Sequence, residues 1–261
     1  MPTPPEPAAL YPDIAEAGSL AAALRTVAAG ALDDVPLTSP AADPLSGAHV
    51  ESVLPHRRAM SITAWARERR WSVAAGEPLL GLALVEGATD DLAQVARAAR
   101  AWHDGEPAEG VQAAAPFARP TGRSELTDPD PARLVDSEWR YLRTEAARLA
   151  YPWREPYRAL VEAAYAEPAL RALYPFTSHW ALRFSAATRP HLDVVGPNLG
   201  LDSDGGYAVA LLMTERGRTF GTACEAVAEA VRLLPDGTGA VRYGASPPGT
   251  AGKPVDTVEE G

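Results

Sequence analysis

One string concentrates the side chains that could do chemistry: Tyr174-Pro175-Phe176-Thr177-Ser178-His179-Trp180. Pro175 disfavours helix at Tyr174, so the chain is expected to turn there and enter a strand. Over Thr177–Ser185, Trp180, Leu182 and Phe184 alternate with His179, Ala181, Arg183 and Ser185, the pattern of a half-buried strand with a polar second face. His179 and Arg183 then project together, about 13 Å apart at strand rise. They cannot grip one small group, but they can line two ends of a cleft. In such a cleft His179 would shuttle protons and Arg183 would hold a carboxylate or oxyanion. Tyr174 would assist the chemistry, and Trp180, Thr177 and Ser178 would contact the substrate. The structural alternative is a helix-to-strand corner whose aromatics are packed and whose polar groups satisfy the turn.

Other candidates are thinner. His56-Arg57-Arg58, after Pro55, could bind a phosphate or carboxylate, or be a solvated loop at the start of a strand. His191 and Asp193 offer metal-type ligands facing one way, with any third coming from afar, such as His179. Two ligands do not define a site, so neither a metal nor a cofactor is expected. Asp202-Ser203-Asp204-Gly205-Gly206 lacks the length and later glutamate of a calcium loop and reads as a hairpin turn. Cys224, just before a helix, reads as a small packing residue. Neither a Gly-x-Gly-x-x-Gly nor a Gly-x-Ser-x-Gly string occurs.

The elements that must position these residues fall into two stretches, 10–118 and 132–244. Residues 1–9 and 245–261 read as disordered ends, and 119–131, with Asp128-Pro129-Asp130-Pro131, as a linker. The first stretch opens with a helix after Gly18-Ser19 and a loop over 33–55 broken by four prolines. Strands 59–67, 70–75 and 79–86 follow, then a helix over 90–103 with Leu92, Val95, Ala96, Ala99 and Trp102 on one face. The second stretch begins with helical stripes, Trp139-Leu142-Ala146-Leu149 and Tyr157-Leu160-Val161-Ala164-Tyr165. Strands 177–185, 207–213 and 218–223 follow, with a turn at Glu215-Arg216-Gly217, then a helix over 225–234. Each stretch contains strand, hairpin, strand, Gly/Thr turn and helix. Duplication and coincidence both produce that echo. The fold class expected is α+β, antiparallel sheets covered by helices. Trp71, Trp102, Trp180 and Phe184 are expected in the core.

Composition narrows the function classes. The chain has 261 residues, 24 basic and 34 acidic side chains and a formal charge of −10. That balance argues against phosphate-backbone binding, so no nucleic-acid partner is expected. Apolar runs fall short of the roughly 20 residues of a membrane span, and Met1–Pro7 lacks the basic and apolar regions of a signal peptide. A cytoplasmic protein is expected. Its single cysteine rules out an internal disulfide framework. Arginine almost replaces lysine, Lys253 standing alone, as GC-rich actinomycete coding tends to do.

Further word-level strings accompany Tyr174–Trp180. They are Leu10-Tyr11-Pro12-Asp13 with Ala17-Gly18-Ser19-Leu20, Ala113-Ala114-Ala115-Pro116-Phe117, and Val161-Glu162-Ala163-Ala164-Tyr165. Together they resemble an actinomycete family labelled "natural product biosynthesis protein". The resemblance implies a place in secondary metabolism but no particular reaction. Two functions are therefore expected in competition. One is a small-molecule-handling protein, in its catalytic form a cofactor-independent acid–base enzyme. The other is a non-catalytic accessory or immunity-like protein that binds a partner protein.

Overall fold

The computed structural model describes residues 5–77, 79–211 and 217–245, and the chain divides into two units, Met1–Asp128 and Pro129–Gly261. The expected tail over 246–261, the end of the strand at Met213 and the turn at Glu215-Arg216 lie outside the described residues. The fold is α+β.

The first unit opens with α1 (Pro7–Leu10), α2 (Pro12–Ala17) and α3 (Leu20–Val27). Proline at the first helical position starts the first two. Gly18, at φ 82°, ends α2, and the Ser19 hydroxyl accepts from the Ala22 N–H at 3.1 Å to cap α3. Five strands follow: β1 (Leu37–Thr38), β2 (Gly47–Val50), β3 (Met60–Ala64), β4 (Trp71–Gly76) and β5 (Ala83–Thr89). Then come α4 (Leu92–His103), α5 (Ala108–Ala114) and β6 (Arg119–Pro120). The six strands pair in chain order, all antiparallel. Met60, Ile62, Trp71 and Val73 point to one face, where the buried side of α4 (Val95, Ala99, Trp102) covers them. The Tyr11 hydroxyl donates across the β3–β4 turn to the Trp65 carbonyl at 2.7 Å.

Three expectations change here. The segment 33–55 supplies β1 and β2, because its prolines stand outside these short strands rather than within them. Within the expected linker, β6 pairs with β5, and Thr121 and Leu126 are buried. The unit boundary, between Asp128 and Pro129, falls within the expected linker. At the other end, part of the expected disordered terminus forms α1.

The second unit begins with α6 (Pro131–Arg148), capped by Asp130, then α7 (Arg154–Ala166) and α8 (Pro168–Arg171). Strands β7 (Tyr174–Ser178), β8 (Ala181–Ser185), β9 (Ala187–Pro190), β10 (Val194–Leu201), β11 (Tyr207–Ala210) and β12 (Arg218–Phe220) follow. The chain then forms α9 (Ala223–Arg232), begun by a capping box of Thr222 and Glu225, and β13 (Arg242–Gly244). Five strands form an antiparallel sheet in the order β12-β11-β10-β8-β7, while β9 pairs in parallel with β13. Trp139, Leu142, Leu160 and Val161 of α6 and α7 bury with Leu182, Phe184 and Leu199 of the sheet.

The expected single strand over Thr177–Ser185 is instead a hairpin. Ser178 faces Ala181 and Tyr174 faces Ser185, so the chain reverses at His179-Trp180. Both turn residues have positive φ, 51° and 65°, as a two-residue type I′ loop requires. Trp180 therefore leaves the core and is 44% exposed, whereas Trp71, Trp102 and Phe184 are fully buried.

Candidate functional site

Three connections of the second unit meet at one cleft of about 640 Å³. The link from α6 to α7 brings Tyr151 and Trp153, with Tyr157 in the first turn of α7. The β7–β8 turn brings His179 and Trp180, and the β10–β11 turn brings Asp202. Aromatic rings make the wall. Tyr151 stacks on Trp153 at 5.0 Å with planes 4° apart. Trp180 meets Trp153 edge-on at 4.8 Å, Tyr151 at 5.8 Å and Tyr157 at 6.1 Å. These tilted arrangements suit the ring quadrupoles and hold Trp180 in place on an otherwise exposed turn.

The polar rim is equally local. Asp202 Oδ1 accepts from the N–H groups of Asp204 at 2.9 Å and Gly206 at 2.7 Å, which shapes the β10–β11 turn. Gly205 takes φ 84° there, where a side chain would be strained. His179 is exposed, with Nδ1 3.3 Å from the Ser178 hydroxyl. Behind the wall Tyr157 is fully buried, and its hydroxyl has no hydrogen-bond partner among the described residues. Burial, then the charge of Glu145, pushes its phenol well above the ordinary range, so it stays neutral.

The geometry separates the residues that the sequence had grouped. His179 and Trp180 line the cleft, and Ser178 touches His179. Thr177 faces Leu182 along the hairpin. Tyr174 lies at the hairpin's far end, opposite Ser185 and fully buried. Arg183 faces Phe176, its guanidinium 5.4 Å from that ring centroid. It does not project with His179, because the chain reverses before it.

His56-Arg57-Arg58 is a clasp in the first unit. Arg57 grips Glu125 with two parallel bonds, Nε–Oε1 at 2.6 Å and Nη2–Oε2 at 2.7 Å, and donates to the Glu106 carbonyl at 2.8 Å. Its guanidinium lies 4.4 Å from the Trp102 ring centroid, and His56 Nε2 is 2.8 Å from the same carboxylate. Arg57 and His56, two of the three basic residues, are thus already engaged with an internal carboxylate. Hydrogen bonding from Arg57, then from His56, keeps the Glu125 carboxyl below the usual carboxylate range.

The remaining candidates resolve simply. Asp193 pairs with Arg242 at 2.7 Å. Among the described residues no three His, Cys, Asp or Glu side chains gather as metal ligands. Cys224 is exposed rather than packed. A second cleft, of about 560 Å³ in the first unit, has alanines for half of its lining, and its Arg100 is held by Asp34 and Asp104. Sequence reasoning missed Tyr151 and Trp153. Their signal was two aromatics flanking Pro152 between two helical stripes, the same device as Tyr174-Pro175-Phe176.

Comparison with known proteins adds one similarity. Residues 133–245 match DUF6193, a family of unknown function, over less than half of the chain. Every residue named in the aromatic cleft falls within the matched stretch. No curated protein and no solved structure matches.

Proposed function

We propose that the protein binds a small organic molecule in the aromatic cleft of its second unit, as a cytoplasmic component of actinomycete secondary metabolism. The observation that carries this reading is the aromatic wall. Tyr151 and Trp180 keep 53% and 44% of their surface exposed at the edge of a concavity. Its size lies within the range of about 300–1,000 Å³ common to small-molecule sites. Uncovered rings in a concavity are the surface a ligand covers. The turn supports the same reading: two consecutive left-handed residues other than glycine are strained, and such strain collects where a side chain must be aimed. The metabolic setting rests on the resemblance carried by Tyr174–Trp180.

In the catalytic form of this reading His179 moves the proton, and Arg183 and Tyr174 take no part. The alternative, a partner protein seated on the same rings, draws support from the exposure of Tyr151 beside Trp180. The test is a fragment screen by ligand-observed NMR on the wild type and on Trp180→Ala. Hits that bind the wild type and are lost in the variant are expected. An empty screen, or one unchanged by the substitution, would sink the small-molecule reading and leave partner binding in its place.

A further inference from the structure

Resting on that reading, we infer that the cleft selects a flat aromatic ring bearing an ammonium group. The aromatic half follows from how the wall is built. Centroid separations of 4.8–6.1 Å leave no gap between its rings for another ring to enter. A ligand must lie on the outward surfaces of Trp180 and Tyr151, which meet at 69°. A flat ring covers such a surface with the largest contact, stacked on one ring and edge-on to the other.

The ammonium half follows from charge. The chain carries 24 lysine and arginine side chains, yet none stands among the described residues lining this cleft. The nearby arginines of α7, Arg154 and Arg158, are both paired with Glu155. Asp202 lines the cleft with one carboxylate oxygen committed to the turn, and Oδ2 has no hydrogen-bond partner among the described residues. Gly206 lies against that oxygen, where a Cβ would fall 2.7 Å away, so only a residue without a side chain fits beside Oδ2. An ammonium on a ring stacked at Trp180 gains from the aromatic quadrupole and from this carboxylate together. A ligand carboxylate meets repulsion from the same group.

The experiment is calorimetric titration of the full chain at pH 7 with tryptamine, indole-3-acetate and choline. Tryptamine is expected to bind, with indole-3-acetate and choline each weaker by about tenfold or more. Asp202→Asn keeps the turn-forming oxygen and should weaken tryptamine by about tenfold while leaving indole-3-acetate unchanged or tighter. Trp180→Ala should lose tryptamine, and Tyr151→Ala, which leaves the hairpin intact, should weaken it. Indole-3-acetate binding as well as tryptamine overturns the charge selection. Choline matching tryptamine overturns the need for a ring. Tryptamine failing to bind, while fragments bind in a Trp180-dependent way, overturns this inference and leaves the small-molecule reading standing.

Discussion

Placing His179 and Trp180 at φ 51° and 65° costs about 1–2 kcal/mol per residue, because the Cβ crowds the following carbonyl. Asparagine, after glycine, is the residue this left-handed turn position favours. His179→Asn should therefore leave stability unchanged or raise it by about 0.5–1 kcal/mol in urea denaturation. A clear loss would mean that the imidazole holds the turn. At the other residue of chemical note, Arg57→Met should cost about 2–3 kcal/mol, less than for a fully buried pair because Glu125 is partly exposed. The sign with pH is fixed. Glu125 has a lowered folded pKa, so its contribution is complete above the ordinary glutamate value of about 4.3 and disappears as pH falls through the folded value. The difference between wild type and Arg57→Met should shrink below about pH 4 when melts are run across pH. A difference constant down to pH 2.5 would assign the loss to packing on Trp102 instead.

At the scale of elements, burial decides what a substitution does. Phe184 on β8 is fully enclosed by α6 and the sheet, and Phe184→Ala should cost about 3–5 kcal/mol. Trp180, one residue before the same strand, is half-exposed, and its alanine variant should cost about 1–2 kcal/mol despite the larger ring. Equal losses in chemical denaturation would contradict the hairpin. Gly87 on β5 is a close approach: a Cβ there would fall 2.1 Å from the Phe117 carbonyl oxygen, so Gly87→Ala should cost about 2 kcal/mol or more. These elements differ in how far the sequence reveals them. Helices α4, α6, α7 and α9 run 10–18 residues, long enough for a buried stripe to repeat. Strands β1 and β6 have two residues each and cannot show alternation at all. The β7–β8 turn stayed hidden because His-Trp carries none of the Asn-Gly chemistry that marks a type I′ loop. That one reversal moved Arg183 and Tyr174 away from His179. The cleft was illegible for a related reason: it is assembled from three connections far apart in sequence, and periodicity speaks only for the elements between them.

Across the whole molecule, each unit has its own core, one around Trp71, Trp102 and Ile62, the other around Trp139, Tyr157 and Phe184. Both run from helices through antiparallel strands to helix and a final short strand, but the first unit has two helices there and β9 of the second leaves the main sheet to pair with β13. A core of that kind is what allows a domain to fold alone. A fragment of residues 129–245 is expected to melt cooperatively by circular dichroism and to keep the ligand affinity of the full chain. A fragment without a transition would make the first unit a requirement for the second.

Synthesis on the ribosome gives the clasp of Arg57 and Glu125 another meaning. The nascent chain exposes β5 early, but β6, which pairs with it at Val85 and Glu86, and the carboxylate that fastens the segment behind it arrive last in the unit. Until then Arg57 stands beside Trp102 without its anion, and β5 presents unpaired N–H and C=O groups. Products released before Arg119 carry that open edge permanently, which makes them candidates for edge-to-edge aggregation and clearance by proteases. Truncation a few residues later, beyond Leu126, keeps both β6 and the Glu125 carboxylate. A difference of fewer than ten residues thus decides whether the emerging first unit holds its last strand pairing and its clasp.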